Sequence, residues 1–396
     1  MQVKLLIALP IALLAACSNV KEYPNMDLVE PSMRIATQWV SASGAWSNRQ
    51  HSQLPAVVFD ETLYIATSNG NIGSVDILNG KIKWVAHLQE RLTAGPAVSD
   101  QFLVVSNDSA EVLLLDKSSG ELKWRSPVAS IVLSTPLIVE NQVIIQTVTG
   151  KVVALNIETG VQNWLESREV PSLTIRGTSG LILVDDKIIT GFANGKVAAL
   201  DINSGKTIWD TALATARGRS DLERVIDVDG VFYVDNSIVF AAAYQGRVAA
   251  LSLDNGDIIW SRDMSSYTGV VSDGKNLYIT DAEGNVWSLD AKTGATLWRQ
   301  TKMVGRDVGT PALIQSFVVV GDGSGLLHWL SKEDGKLSAQ QDLNKVYIDE
   351  TVLIDDDEQI EDRKPAVTTI PVVVDQNVIV RDNAGGLTAF RLIPQS

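Results

Sequence analysis

The chain has 396 residues, 45% hydrophobic and 20% charged, the composition of a folded globular protein. Lys and Arg total 33 against 47 Asp and Glu, a net charge of −14, and no run of Lys/Arg forms a basic patch. Nucleic acid and anionic lipid repel such a chain, so nucleic acid is not expected as a partner and charge is not expected to draw it to a membrane.

From the N-terminus, residues 1–16 run from Met1-Gln-Val-Lys4 through an apolar stretch, Leu5 to Leu14, to Ala15-Ala16. A short positive start, about ten apolar residues and small residues before a cut make a secretory signal. The stretch is too short for a stable membrane span, which needs about 20 apolar residues. Leu14-Ala15-Ala16-Cys17 resembles the bacterial lipobox, in which the cysteine is lipidated and becomes the first residue of the mature chain. An ordinary cleaved signal with a chance cysteine is the alternative. Cys17 is the single cysteine of the sequence, so its lipidation leaves no thiol for disulfides or metal. Ser18, not Asp, follows it, and by resemblance to other bacterial lipoproteins this implies sorting to the outer membrane. Residues 17–30 read as the lipidated Cys17 and a flexible polar tether, and 31–396 as one folded domain.

A turn-and-tryptophan unit recurs along that domain. Its clearest form is Ala199-Leu-Asp201-Ile-Asn-Ser204-Gly205-Lys-Thr-Ile-Trp209. Successive units end at Trp84, Trp124, Trp164, Trp209, Trp260 and Trp298, in steps of 40, 40, 45, 51 and 38 residues. A period of roughly 40–45 residues, rich in β-branched residues and Gly turns, predicts a β-propeller. Each unit reads as four short strands. In the second, these begin at Pro96, Phe102, Glu111 and Glu121. Between strands two and three sits a tight turn, often with Gly, traceable at Gly70, Ala110, Gly150, Gly195, Gly246, Gly284, Gly325 and Gly385. Eight turns predict an all-β, eight-bladed propeller of four-stranded antiparallel blades. Between strands three and four, Asp-x-x-(Thr/Ser/Asn)-Gly supplies a side chain to bond the turn and a Gly for its left-handed residue.

Two units are irregular. The seventh has Ala339 where tryptophan is expected, and the eighth stops after three strands at Leu387-Thr-Ala-Phe-Arg391. Trp39 lies 45 residues before Trp84, so the N-terminal strand around it is expected to complete the C-terminal blade and close the ring. The repeat tryptophans read first as wedges between blades, with ligand stacking as the alternative.

The unit Ala-x-Asp-x-x-Thr-Gly-x-x-x-Trp, as in Ser288-Leu-Asp290-Ala-Lys-Thr293-Gly294-Ala-Thr-Leu-Trp298, resembles the repeat of bacterial quinoprotein dehydrogenases. Those enzymes bind pyrroloquinoline quinone and Ca²⁺ and carry a vicinal Cys-Cys pair, which this chain cannot supply. His51, His87 and His328 show no metal-ligand spacing, and no nucleophile elbow, Walker loop or dinucleotide fingerprint is present. Asp227 and Asp229 make a carboxylate pair on one face of a strand, with no base in view. No enzyme activity, cofactor or metal is expected.

Lipobox, tether and eight repeats together resemble the BamB family, lipoproteins of the outer-membrane β-barrel assembly (BAM) machinery. The resemblance covers essentially the whole chain. It implies a scaffold on the periplasmic side of the outer membrane that binds BamA, the barrel-inserting subunit, and assists unfolded outer-membrane proteins. A quinoprotein-like enzyme and another periplasmic binding propeller are the alternatives. Pro171-Ser-Leu173-Thr-Ile175-Arg176-Gly177 and Asp227-Val-Asp229 match the places where this family contacts BamA. The resemblance thus implies Leu173, Ile175, Arg176, Asp227 and Asp229 as partner-binding residues. Ile175 and Gly230 depart mildly from the family pattern.

Spacing points to the same location. The long steps arise from insertions after Trp164 and Trp209, each joining the outer strand of one blade to the inner strand of the next. Both emerge on one face and flank the fourth blade. Leu173 and Ile175 are expected partly exposed beside Arg176, unless the loop folds back and buries them. Asp227 and Asp229 could instead cap locally or pair with Arg176, Arg217 or Arg219. A third insertion, about 340–365, includes Asp355-Asp-Asp357-Glu358, Glu361 and Asp362. It reads as a solvated acidic loop, or else as a second contact for a basic partner.

Overall fold

The turn chemistry sets the blades. In the structure, a computed structural model describing residues 21–41, 54–171, 179–215, 225–349 and 365–393, the third strand of six of the first seven blades ends in a side chain that bonds the turn after it. The turn of the fifth is closed by the backbone, the Gly256 N–H donating to the Ser252 carbonyl at 2.9 Å. The Asp201 carboxylate accepts from the Ser204 N–H at 2.8 Å and the Ser204 hydroxyl at 2.6 Å. Asp290 accepts from Thr293 in the same way, and this hydroxyl bond holds its carboxyl below the usual range. Gly205 then takes φ +70°, where a side chain would be strained.

Among the described residues the strands form eight four-stranded antiparallel sheets. Seven are continuous in sequence: the fourth blade, for example, comprises Ile182–Val184, Lys187–Gly191, Lys196–Asp201 and Thr207–Ala212. The eighth takes Val372–Val374, Asn377–Arg381 and Leu387–Ile393 from the C-terminus and its outer strand, Arg34–Ser41, from the N-terminus. Chain ends therefore pair with one another, as Trp39 predicted, and no blade is left short of a strand.

Every outer strand carries a β-bulge. Ala199 faces Trp209, but Leu200 faces Thr207, so Ile208 is left unpaired. The same shift recurs in all eight sheets, always one residue ahead of the tryptophan position. A bulge re-aims the side chain that follows it. Here it turns each tryptophan sideways onto the next blade. Trp209 donates its Nε1–H to the Leu253 carbonyl at 2.9 Å, and Trp39 donates likewise to Ile77 at 2.9 Å. Each ring lies flat on the glycine of the neighbour's third-to-fourth-strand turn: Trp39 on Gly80, Trp84 on Gly120, Trp164 on Gly205, Trp298 on Gly335. A Cβ on Gly80 would fall 2.6 Å from the Trp39 ring. At ~25 cal/mol per Å², burying 150–250 Å² of such a ring contributes on the order of 4–6 kcal/mol before chain entropy.

Ala339 now has a reason. The eighth blade has no third-to-fourth-strand turn, because its fourth strand comes from elsewhere, and so it offers no glycine to receive a ring. Ala339 is instead fully buried against Met33 and Trp329, and the N-terminal segment crosses beside it, Ser32 N–H donating to the Ser338 carbonyl at 2.8 Å.

Two local readings change. In the fifth blade the positive φ falls on Gln245 (49°) and not on Gly246, and the second blade holds Ala110 at φ 60° without a glycine. The third insertion opens with a helix, Leu343–Asp349, because Leu343 and Val346 find an apolar seat beside Trp329 and Val367. Its acidic residues Asp355 to Asp357, Glu358, Glu361 and Asp362 lie outside the described residues.

Gly205→Ala is expected to lower unfolding stability by about 2 kcal/mol or more, through overlap with the Trp164 ring and strain at positive φ. Gly180→Ala, with nothing within 4 Å of its would-be Cβ, is the control and should change the urea midpoint little. Equal effects at the two positions would contradict the wedge.

Candidate functional site

Connections from an outer strand to the next inner strand leave the ring on the same face as the second-to-third-strand turns. Two of the three long ones, after Ser167 and after Ala212, flank the fourth blade there. Their central parts, 172–178 and 216–224, lie outside the described residues. Leu173, Ile175, Arg176, Arg217 and Arg219 are therefore not placed, and neither is Cys17. The roots of both connections are placed, and they are tightly held.

Arg168 opens the first connection. It donates to Asp210 at 2.9 Å and to the Thr207 hydroxyl, and its guanidinium lies 4.9 Å over the Phe192 ring. Burial pushes the Asp210 carboxyl up, but Lys196 at 3.1 Å and Arg168 together hold it below its ordinary value. Ser179 closes the same connection: its hydroxyl accepts from Gly191 N–H at 2.6 Å and sits 3.2 Å from the Thr190 hydroxyl. Thr190 donates to Gln146 at 2.7 Å, and Gln146 donates on to the Gly191 carbonyl at 2.7 Å. This buried chain of polar groups is satisfied at each link and locks the third blade to the fourth. Leu213 and Ala214 begin the second connection by donating to the Gly195 carbonyl at 2.8 and 3.1 Å.

Asp227 and Asp229 lie where the second connection returns. Asp227 forms an isolated antiparallel bridge with Tyr244, whose N–H donates to the Asp227 carbonyl at 2.7 Å. Next to it, Val228 presses on Gly191: a Cβ there would sit 2.6 Å from the Val228 carbonyl oxygen. That close approach sinks Asp227 to 1% exposure. Its carboxyl lines a small cavity with Gln146, Thr147, Gly150, Val170 and Phe192. Among the described residues one oxygen, Oδ2, has no hydrogen-bond partner. Loss of water, and secondarily the Asp229 charge, push the Asp227 pKa up to about 8. Asp229 is half-buried and raised for the same first reason, although the Gly230 N–H donates to it at 2.7 Å.

The pair is thus brought together on the expected face, but not as side chains of a regular strand. Asp227 is a buried group with an unfilled bond, not a solvated surface charge. Arg168, Gln146 and Ser179 went unseen in sequence. Arg168 and Ser179 stand at the two ends of an insertion, and that position was their only signal. Among the described residues no group of three or more His, Cys, Asp or Glu is arranged to hold a metal.

Fold and candidate site together define a β-propeller protein: a wedged, closed ring with two framed connections and buried acceptors on one face. The sequence model of the family described as outer membrane protein assembly factor BamB matches residues 68–300 and again 282–392. The chain belongs to this family. It is 44% identical over 327 residues to the assembly factor of that name from Alkalilimnicola ehrlichii, covering 83% of this chain and 85% of the relative. To the one from Pseudomonas aeruginosa it is 37% identical over 390 residues, covering 98% of each. The crystal structure of BamB from Moraxella catarrhalis, 21% identical, superposes with a TM-score of 0.79 over 91% of this chain and 100% of that one. These relatives bear the name of an assembly factor, not of a quinoprotein enzyme.

Asp227 also makes a stability prediction. Its folded-state pKa of about 8 lies above its ordinary 3.8, so below 3.8 the carboxyl costs nothing. As pH rises toward 8 the unfolded chain ionises while the folded one keeps its proton, and stability is lost by at most about 1.4 kcal/mol per pH unit. Asp227→Asn should therefore gain on the wild type between pH 5 and pH 8, measured by urea midpoints. A difference independent of pH would show that the carboxyl is not buried uncharged.

Proposed function

We propose that the chain is a non-catalytic scaffold subunit of the outer-membrane β-barrel assembly complex, and that the face flanking its fourth blade docks on the periplasmic domains of BamA. Membership of the BamB family supports the assembly role, and the names of its relatives give no reason for a quinone or calcium reaction. The observation that carries the location is the buried oxygen of Asp227, unpartnered among the described residues, beside two connections whose roots are fixed.

A raised carboxyl of this kind destabilises the free ring, and natural proteins keep such groups where binding uses them. A donor from the partner, an arginine or a backbone N–H, would satisfy Oδ2 and recover part of that cost. Leu173 and Ile175 would add apolar contact, and Arg176 a charged anchor. Rigidity matters here. Arg168 and Ser179 fix the roots of the connection, so these roots lose little freedom on docking. A lipid on Cys17 would hold the ring at the periplasmic face of the outer membrane, where two acyl chains suffice for stable anchoring. From there it would help unfolded outer-membrane proteins reach BamA.

Photo-crosslinking from position 173 or 176 in living cells is expected to give a BamA adduct, and Arg176→Glu to abolish co-purification with BamA. Adducts with other envelope proteins only, together with intact co-purification of Arg176→Glu, would overturn this reading in favour of a different binding propeller.

A further inference from the structure

A second polar cluster lies away from the candidate site, in the seventh blade, and it faces the chain's own N-terminus. Asp322 is fully buried and accepts from Arg306 Nε at 2.7 Å and pairs with His328 Nε2 at 2.8 Å. Burial alone would raise its carboxyl, but His328, Ser324 and Arg306 hold it down to about 2. With its charge thus fixed, Asp322 orients two groups outward. Arg306 donates to the Pro24 carbonyl. His328 Nδ1 lies 3.1 Å from Gln340 Nε2, and Gln340 accepts from the Val29 N–H at 2.9 Å.

Residues 21–32 therefore do not hang free of the ring. Tyr23, Met26 and Val29 are half-buried, at every third position, while their neighbours are exposed. A period of three suits an extended segment laid along a surface. The Tyr23 ring lies directly on Gly323, where any side chain would collide with it. Its hydroxyl donates to Asp307 at 3.1 Å, and Lys21 pairs with the same carboxylate. Tyr23 is pushed up to about 12 by burial and by the Asp307 charge, as expected of a docked phenol. Met26 packs beside Met303 and Trp298.

Arg306 and Asp307 belong to the connection between the sixth and seventh blades, and Gly323 to a second-to-third-strand turn. Both lie on the face that carries the candidate site. Cys17 stands four residues before Lys21, and four residues span at most about 14 Å. We infer that residues 21–32 form a strap that fixes the exit of the N-terminal anchor at the sixth and seventh blades of the loop face, so that this face is held toward the lipid surface. The inference rests on the lipid-anchor reading of Cys17. A lipid bilayer is the partner, and the strap sets the ring's orientation to it. Without the strap, a tether of this length would leave the ring free to tumble.

The test uses the full-length lipidated protein on phospholipid vesicles containing spin-labelled lipid. Single fluorophores are placed at Lys302→Cys, on the loop face of the sixth blade, or at Lys292→Cys, on the opposite face of the same blade; both residues are exposed. Strands of five to six residues separate the faces by roughly 17–20 Å, so quenching at position 302 should exceed that at 292 by about twofold or more. The strap variant Tyr23→Ala/Met26→Ala should bring the two toward equality with the ring's urea midpoint retained. Equal quenching on vesicle-bound wild type, or a ratio that the strap variant does not move, would overturn the strap. Failure of the protein to float with vesicles at all would overturn the anchor reading, and the strap's orienting role with it.

Discussion

The contact of a tryptophan ring with a turn glycine of the next blade is the constraint on which the rest of the structure depends. Each part of the repeat serves it. The Asp or Asn side chain shapes the turn, the glycine leaves a bare surface, the bulge aims the ring, and the Nε1–H finds a carbonyl one residue past the acidic position. Blades so joined cannot rotate independently without exposing an indole. Trp39 makes the same contact across the gap between chain ends, so the ring is closed by packing as well as by strand pairing. Where the receiving turn is missing, the ring is missing too, and Ala339 stands in its place.

A ring fixed in this way leaves its function to the departures from the repeat. Connections that merely step from blade to blade are short. The two that flank the fourth blade are longer, and each is braced at its roots by contacts specific to it: Arg168 on Asp210 and Phe192, Ser179 on Gly191. Between them lies a carboxyl that the fold buries without giving it a full set of partners. The seventh blade departs differently, with a buried charged pair that holds the N-terminal segment. One face thereby carries both the candidate site and the seat of the N-terminal segment.

How much of this could be read from residues alone follows from the range of the interactions. Blade number, turn positions and closure by Trp39 were legible because they repeat, and repetition averages out local ambiguity. The bulges were not, since an extra residue in a strand changes register without changing composition. Burial of Asp227 depends on Val228 pressing against Gly191, a contact across 37 residues of sequence that no local pattern signals. The strap hid in a polar segment because only every third side chain touches the ring. The helix Leu343–Asp349 was hidden inside an insertion read for its charge, although Leu343 and Val346 already carried the spacing of a helix face.

The central claim is that binding resides in the braced connections and not in the ring that carries them. Calorimetric titration of the propeller with the periplasmic domains of BamA tests it most directly, comparing two deletions of similar size. Removal of residues 172–178 should abolish binding and leave the unfolding midpoint unchanged. Trimming the connection between the second and third blades, which spans 128–136, should leave binding intact. Undiminished binding without 172–178, or equal loss from both deletions, would contradict the account.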